Sequence, residues 1–159
     1  MAGASTVGRQ AIRAFAEHEH DELAAGIDRI HELGAELATL PVDQRAARIR
    51  RVLHWIDADL KPHMAWEESW LFPQIDARAR TPWATRLVRF DHQQIAAQAE
   101  RLHAHCVYGS QFSSNDIVTL VADLSGLEAL LRANVEREER FLLPLIESEA
   151  ERWAPEWHG

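Results

Sequence analysis

The chain has 159 residues and carries 17 Lys plus Arg against 25 Asp plus Glu, a formal net charge of -8. This length suits one domain with its own core, and the scattered basic residues argue against nucleic acid or an anionic membrane as partner. Cys106 is the only cysteine, which excludes an intrachain disulfide and a thiolate metal cluster within one chain and fits a reducing compartment.

Strand signals are almost absent and apolar residues recur at helical spacing through four long segments, so the fold class is all-α, an up-down-up-down four-helix bundle. The opening "MAGASTVGRQ" lacks the apolar run of a signal peptide, and no stretch of about 18 apolar residues follows, so a soluble cytoplasmic protein is expected. The first helix is predicted over 5–38, ended by Pro41, with Asp43 capping the next. The second runs over 44–76 with Pro62 as a kink. In "RTPWA", Thr81 as N-cap and Pro82 at the first helical position open a third helix over 82–106. A loop "YGSQFSSND" and a Ser114 cap lead into a fourth over 115–149, and "ERWAPEWHG" is read as an irregular end. The whole of 1–159 is expected to form a single domain.

The chain repeats itself. "HMAWEESWLFP" (63–73) returns 71 positions later as "NVEREERFLLP" (134–144), and "EHDELAA" (19–25) returns 72 positions later as "DHQQIAA" (91–97). Two helical hairpins on one plan imply a pseudo-twofold bundle.

Polar residues interrupt every inward stripe. The fourth helix reads Ile117, Leu120, Leu124, Leu127, Leu131, Asn134, Glu138, Phe141, Leu145, and the second reads Ile49, Leu53, Ile56, Leu60, His63, Glu67, Trp70. His20 lies between Ala16 and Leu23 on the first, His92 between Val88 and Ile95 on the third. Burying several ionisable groups at one level is costly unless they pair or hold a cation. His63 and Glu67, four residues and so about 400° apart, share one helix face. Together with histidines from facing helices they would surround one or two first-row metal ions.

These residues resemble the hemerythrin-like family, the HHE cation-binding domain, through "EHDEL", "HMAWEESWLFP", "DHQQI" and "NVEREERFLLP" in that order over nearly the whole chain. The resemblance implies a four-helix bundle with a non-haem di-iron centre used in oxygen, peroxide or nitric-oxide chemistry or sensing. It puts metal ligands at His20, His63, Glu67, His92 and Glu138, with both glutamates bridging. The sixth ligand, a histidine in the family, falls on Asn134. A further histidine of the oxygen carriers falls on Ala96. An amide is a poorer ligand than imidazole, so the second position should bind metal weakly or not at all, leaving a di-iron, mononuclear or metal-free centre.

The alternative is a metal-independent enzyme. There His20, His63, Glu67, His92 and Glu138 would be catalytic, doing acid–base chemistry such as isomerisation, ring opening, cyclisation or dehydration on a small organic substrate. A bundle that only binds a partner ranks last, and the oligomeric state is left open. Glu68 and Glu139, about 100° from the ligand face, are expected to face a flank or to contact a ligand from outside rather than to ligate, with the surface favoured. Asp21 and Asp91 could orient an imidazole. His31 and His103 lie about 16 Å along from His20 and His92 and read as interior or end-of-bundle residues, while His18 and His54 read as solvated. Cys106 reads as a small buried residue. Trp66 and Trp70 either fill the core or wall a pocket, and Trp153 and Trp157 could cover a bundle end.

Overall fold

The computed structural model describes residues 3–108 and 114–147. Four long helices form the expected all-α bundle. The first is Gly3–Glu36. The second occupies 42–79, the third Arg86–Tyr108 and the fourth 114–147. Sequential helices pack side by side, and the fourth closes the ring against the first. No helix among the described residues is long and apolar enough to cross a membrane. The Cys106 side chain, the Ser114 cap, the loop at 109–113 and both tail tryptophans lie outside the described residues.

The core is split in two. One apolar cluster runs from Leu23, Leu60, Ile95 and Leu131 to the turn between the first two helices, where Leu37 and Ile49 meet. The other gathers Ala16, Leu71, Phe72, Ile75, Val88, Leu142, Leu143 and Ile146. Between Ala16 and Leu23, Leu60 and Leu71, Val88 and Ile95, and Leu131 and Leu142 lie the buried polar residues of each stripe.

The stripes do not continue to Trp70 and Phe141 as their spacing predicts; those side chains are 43% and 59% exposed, and Leu71 and Leu142 are buried in their place. The cause is a widened turn. Glu67–Leu71 and Glu138–Leu142 are π-helical, closed by bonds from the N–H of Phe72 to Glu67 O and of Leu143 to Glu138 O. One extra residue per turn rotates everything beyond it by about 100°. Pro73 and Pro144 each follow such a turn, where the broken i→i−4 ladder leaves room for a ring that lacks an N–H donor. Pro62 likewise follows a π turn at Ile56–Leu60, so the second helix accommodates it by local widening.

Two expected caps are absent. The second helix starts at Val42 after Pro41 with no side-chain cap, and Asp43 sits in its first turn. The third starts at Arg86, four residues late. Arg80 takes a left-handed conformation (φ 53°), and the N–H groups of Thr81 and Arg80 bond to Asp76 O and Ala77 O, closing the second helix in a Schellman motif. Thr81 Oγ1 then accepts from Trp83 N–H, holding a turn rather than a helix start. Asp76 accepts from both the N–H and the hydroxyl of Thr85, each at 3.0 Å, and Thr85 O receives the N–H of Arg89.

Gly26 permits one close contact. A Cβ there would lie 2.0 Å from Cε2 of Trp55, so the buried indole rests on bare backbone of the first helix. Gly→Ala in a helix normally stabilises by about 1 kcal/mol. Here overpacking should reverse the sign, and Gly26→Ala is expected to lose about 1–3 kcal/mol in chemical denaturation. A stabilised variant would show that the indole is free to move aside.

Candidate metal centre

The polar layer contains His20, His63, Glu67, His92, Asn134 and Glu138, each at most 7% exposed. All six residues singled out in the sequence therefore meet in one place. In two groups, His20, His63 and Glu67, then Glu67, His92 and Glu138, the donor atoms lie within 4.8 Å of one another, and either group could hold a metal ion. Glu67 belongs to both.

The two carboxylates span the layer. Glu67 Oε1 lies 3.1 Å from His63 Nε2 and 3.5 Å from His20 Nε2, while Oε2 lies 3.2 Å from His92 Nε2. Glu138 Oε2 lies 3.1 Å from His20 Nε2 and Oε1 3.7 Å from His92 Nε2. Close as they are, His20 Nε2, His92 Nε2, both oxygens of Glu67 and Glu138 Oε2 have no properly directed hydrogen bond. Buried groups left in that state cost about 1–3 kcal/mol each. Ligands about 2.1 Å from an ion and at right angles to each other are about 3 Å apart, which is the separation found. The donor set fits a metal cation.

Asn134 differs from its neighbours. Its Nδ2 donates to Glu138 Oε1 at 2.6 Å, and its Oδ1 is buried without a partner. The opposite amide orientation would set oxygen against carboxylate oxygen, so the donor role follows from the pairing.

The outward nitrogens are held by residues expected on a flank. Glu139 accepts from His20 Nδ1 at 3.2 Å, and Glu68 accepts from His92 Nδ1 at 2.9 Å. Both carboxylates are half exposed yet reach back to the buried rings. These bonds fix a proton on Nδ1 and turn Nε2 toward the layer, where it would offer its lone pair to a cation once its own proton is lost. The sequence signal was the doublet itself, Glu67-Glu68 and Glu138-Glu139, in which the second member serves the next helix. His63 lacks such a brace, since Glu19 Oε2 stands 3.7 Å from its Nδ1 and that nitrogen is unbonded. Asp91 does not orient an imidazole; it is buried and pairs with Arg137, and Asp21 is exposed.

Other readings change too. His31 is an exposed residue paired with Glu128, not an interior one, and His103 is half-buried near Asp57. His18 and His54 are exposed as expected. Trp70 does not fill the core but is exposed, whereas Trp66 is partly buried and packs against the second apolar cluster; the two indoles stack on each other, and Phe15 meets Trp66 edge-on. Trp66 also lies 6.0 Å from the His63 ring and, with Phe15, walls a cavity of about 410 Å³ that reaches His63.

A family model described as the hemerythrin HHE cation binding domain matches residues 11–146. The chain belongs to this family. Searches among curated proteins and among solved structures gave no match. The match takes in all four stretches of the repeat, so both clusters of a hemerythrin-like bundle fall inside it.

Without a cation, positive charge on the imidazoles balances the carboxylates. Burial lowers the His20 and His92 pKa values, but the carboxylates of Glu138 and Glu67 outweigh it and raise both to about 10. Burial raises Glu67, yet the imidazoles of His20, His63 and His92 close around it hold it well below the ordinary range. Burial and repulsion by Glu67 push Glu138 up. Folded values raised above 6.5 stabilise fully below pH 6.5 and cease to do so as pH rises through about 10. Metal-free protein should therefore lose thermal stability from neutrality to pH 10. Metal-loaded protein, in which a cation replaces those protons, should keep it. Melting curves against pH for both forms make the check, and a metal-free midpoint that is flat over this range would contradict the protonated layer. Glu139→Gln and Glu68→Gln, which weaken the braces, are each expected to lower metal affinity about 10–100-fold in competition with a chelator.

Proposed function

We propose that this hemerythrin-like protein is a non-haem metal protein, with iron as the leading candidate, whose two positions are unequal. The reading rests on how the donors divide. One position would be held by His20, His63, Glu67 Oε1 and Glu138 Oε2. The other would have only His92, Glu67 Oε2 and Glu138 Oε1, and the last of these already accepts from Asn134. Asn134 stands where the resemblance puts a sixth, histidine ligand. An amide N–H spends part of the carboxylate's donor capacity, so the second position should fill last and empty first.

When bound, iron would supply redox chemistry toward oxygen, peroxide or nitric oxide. The chain supplies the setting. Glu139 and Glu68 would fix the tautomer and direction of His20 and His92. The apolar clusters on either side exclude water from the layer, and Phe72, at 5.3 Å from the His92 ring, closes that flank. Ala96, where oxygen carriers have a histidine, offers no donor, which argues for sensing or turnover rather than reversible oxygen carriage. We read the chain as one such domain working in a reducing, cytoplasm-like compartment.

The test is elemental analysis of untagged protein after anaerobic iron loading, with its visible spectrum. About one tightly held iron per chain is expected, with a second lost on dilution, and Asn134→His should bring the ratio to about two and strengthen the absorption of a bridged ferric pair. Negligible metal in folded protein would overturn the reading. It would point instead to metal-independent acid–base chemistry by the same histidines and glutamates, lost in Glu138→Gln and indifferent to chelators.

A further inference from the structure

Away from the polar layer, the groove between the first and second helices opens into a cavity of about 740 Å³ whose lining includes Gly26, Arg29, Arg48, Arg50, Arg51 and Trp55. That volume suits a small organic ligand. The charge there runs against the rest of the chain. The stretch "QRAARIRRVLH" (44–54) contains no carboxylate in a protein of net charge -8. Four arginines face the cavity against two carboxylates, Glu32 and Asp59. Arg48 is occupied by Glu36 at 2.8 Å, but Arg29, Arg50 and Arg51 make no ion pair or hydrogen bond among the described residues.

The floor is apolar and fixed. Trp55 is 6% exposed, and Gly26 lets its indole lie against the first helix with no room for a side chain between. The Trp55 indole N–H also has no hydrogen-bond partner among the described residues. Arg48, Arg51 and Trp55 share one face of the second helix at spacings of three and four, and Arg29 faces them from the first. Free guanidinium groups beside a fixed indole have the chemistry to hold an anionic head group, with the remainder of the ligand against the small part of Trp55 that lines the groove.

We propose that this groove is a binding site for a small organic anion, a carboxylate or phosphate on a flat apolar body, with its charge on Arg29, Arg50 and Arg51 and its body on Trp55. The groove adjoins the smaller cavity that reaches His63, since Arg29, Trp55 and Asp59 line both. Its occupant would lie beside the entrance to the polar layer. Binding itself needs no metal.

The experiment is calorimetric titration of the full chain, with and without iron loading, using phenyl phosphate, benzoate, inorganic phosphate and the neutral benzyl alcohol. One of the two aromatic anions should bind at least about tenfold more tightly than both benzyl alcohol and inorganic phosphate, the stronger one identifying the head group. The preference should survive in the metal-free protein. The Arg29→Gln, Arg51→Gln double variant should weaken that binding about tenfold or more, whereas Arg101→Gln, which alters an exposed arginine next to Asp123, should not. Trp55→Phe should reduce the advantage of the aromatic anion over inorganic phosphate. Three results would overturn the site: equal binding of anion and neutral isostere, unchanged binding in the double variant, or no saturation by either aromatic anion at about 10 mM.

Discussion

Two carboxylates and three imidazoles are held out of water between two apolar clusters at the middle of the bundle, and the architecture is arranged around the cost of doing so. A carboxylate buried alone would be neutralised or expelled. Here Glu67 and Glu138 each present one oxygen to the His20 side and the other to the His92 side. The charges are thereby distributed over every helix, and the layer becomes a joint. It divides the core into two clusters and ties together all four stripes, so its protonation or metal loading bears on the stability of the entire fold.

The supporting contacts follow the same symmetry. Glu68 of the second helix reaches His92 of the third, and Glu139 of the fourth reaches His20 of the first. The π turns Glu67–Leu71 and Glu138–Leu142 each begin at the buried glutamate and carry the bracing glutamate as the second residue. The widened turn also moves Leu71 and Leu142 inward and sends Trp70 and Phe141 out. One local irregularity thus positions an inner carboxylate, an outer carboxylate and the lid of the second apolar cluster.

Much of this was legible in the residue pattern. Apolar spacing of three and four defined the helices, and the 71-residue repeat implied the pseudo-twofold bundle. The interruption of four stripes at one level located His20, His63, Glu67, His92, Asn134 and Glu138. What was not legible depended on backbone geometry that spacing does not encode. A regular period of 3.6 carries Trp70 and Phe141 inward, and only an i→i+5 turn reverses that. Thr81 and Pro82 form a plausible helix start, but the carboxylate of Asp76, from the preceding helix, captures Thr85 and delays it. Glu68 and Glu139 belong to a flank by angle, and side-chain length lets them return to the buried rings. The arginines at 48, 50 and 51 are unremarkable in one dimension; only the fold sets them around one groove with Arg29 of the first helix.

The repeat has a consequence for how such a centre can change. Were the bundle assembled from two separate copies of one hairpin, any substitution would appear twice, and both halves of the polar layer would alter together. In a single chain the copies mutate independently. His63 and Asn134 occupy equivalent places in the two hairpins, yet one is an imidazole and the other an amide that bonds its own glutamate. Covalent linkage of the halves is what allows the two sides of the layer to differ, so that a scaffold of two like hairpins carries unlike side chains at equivalent places.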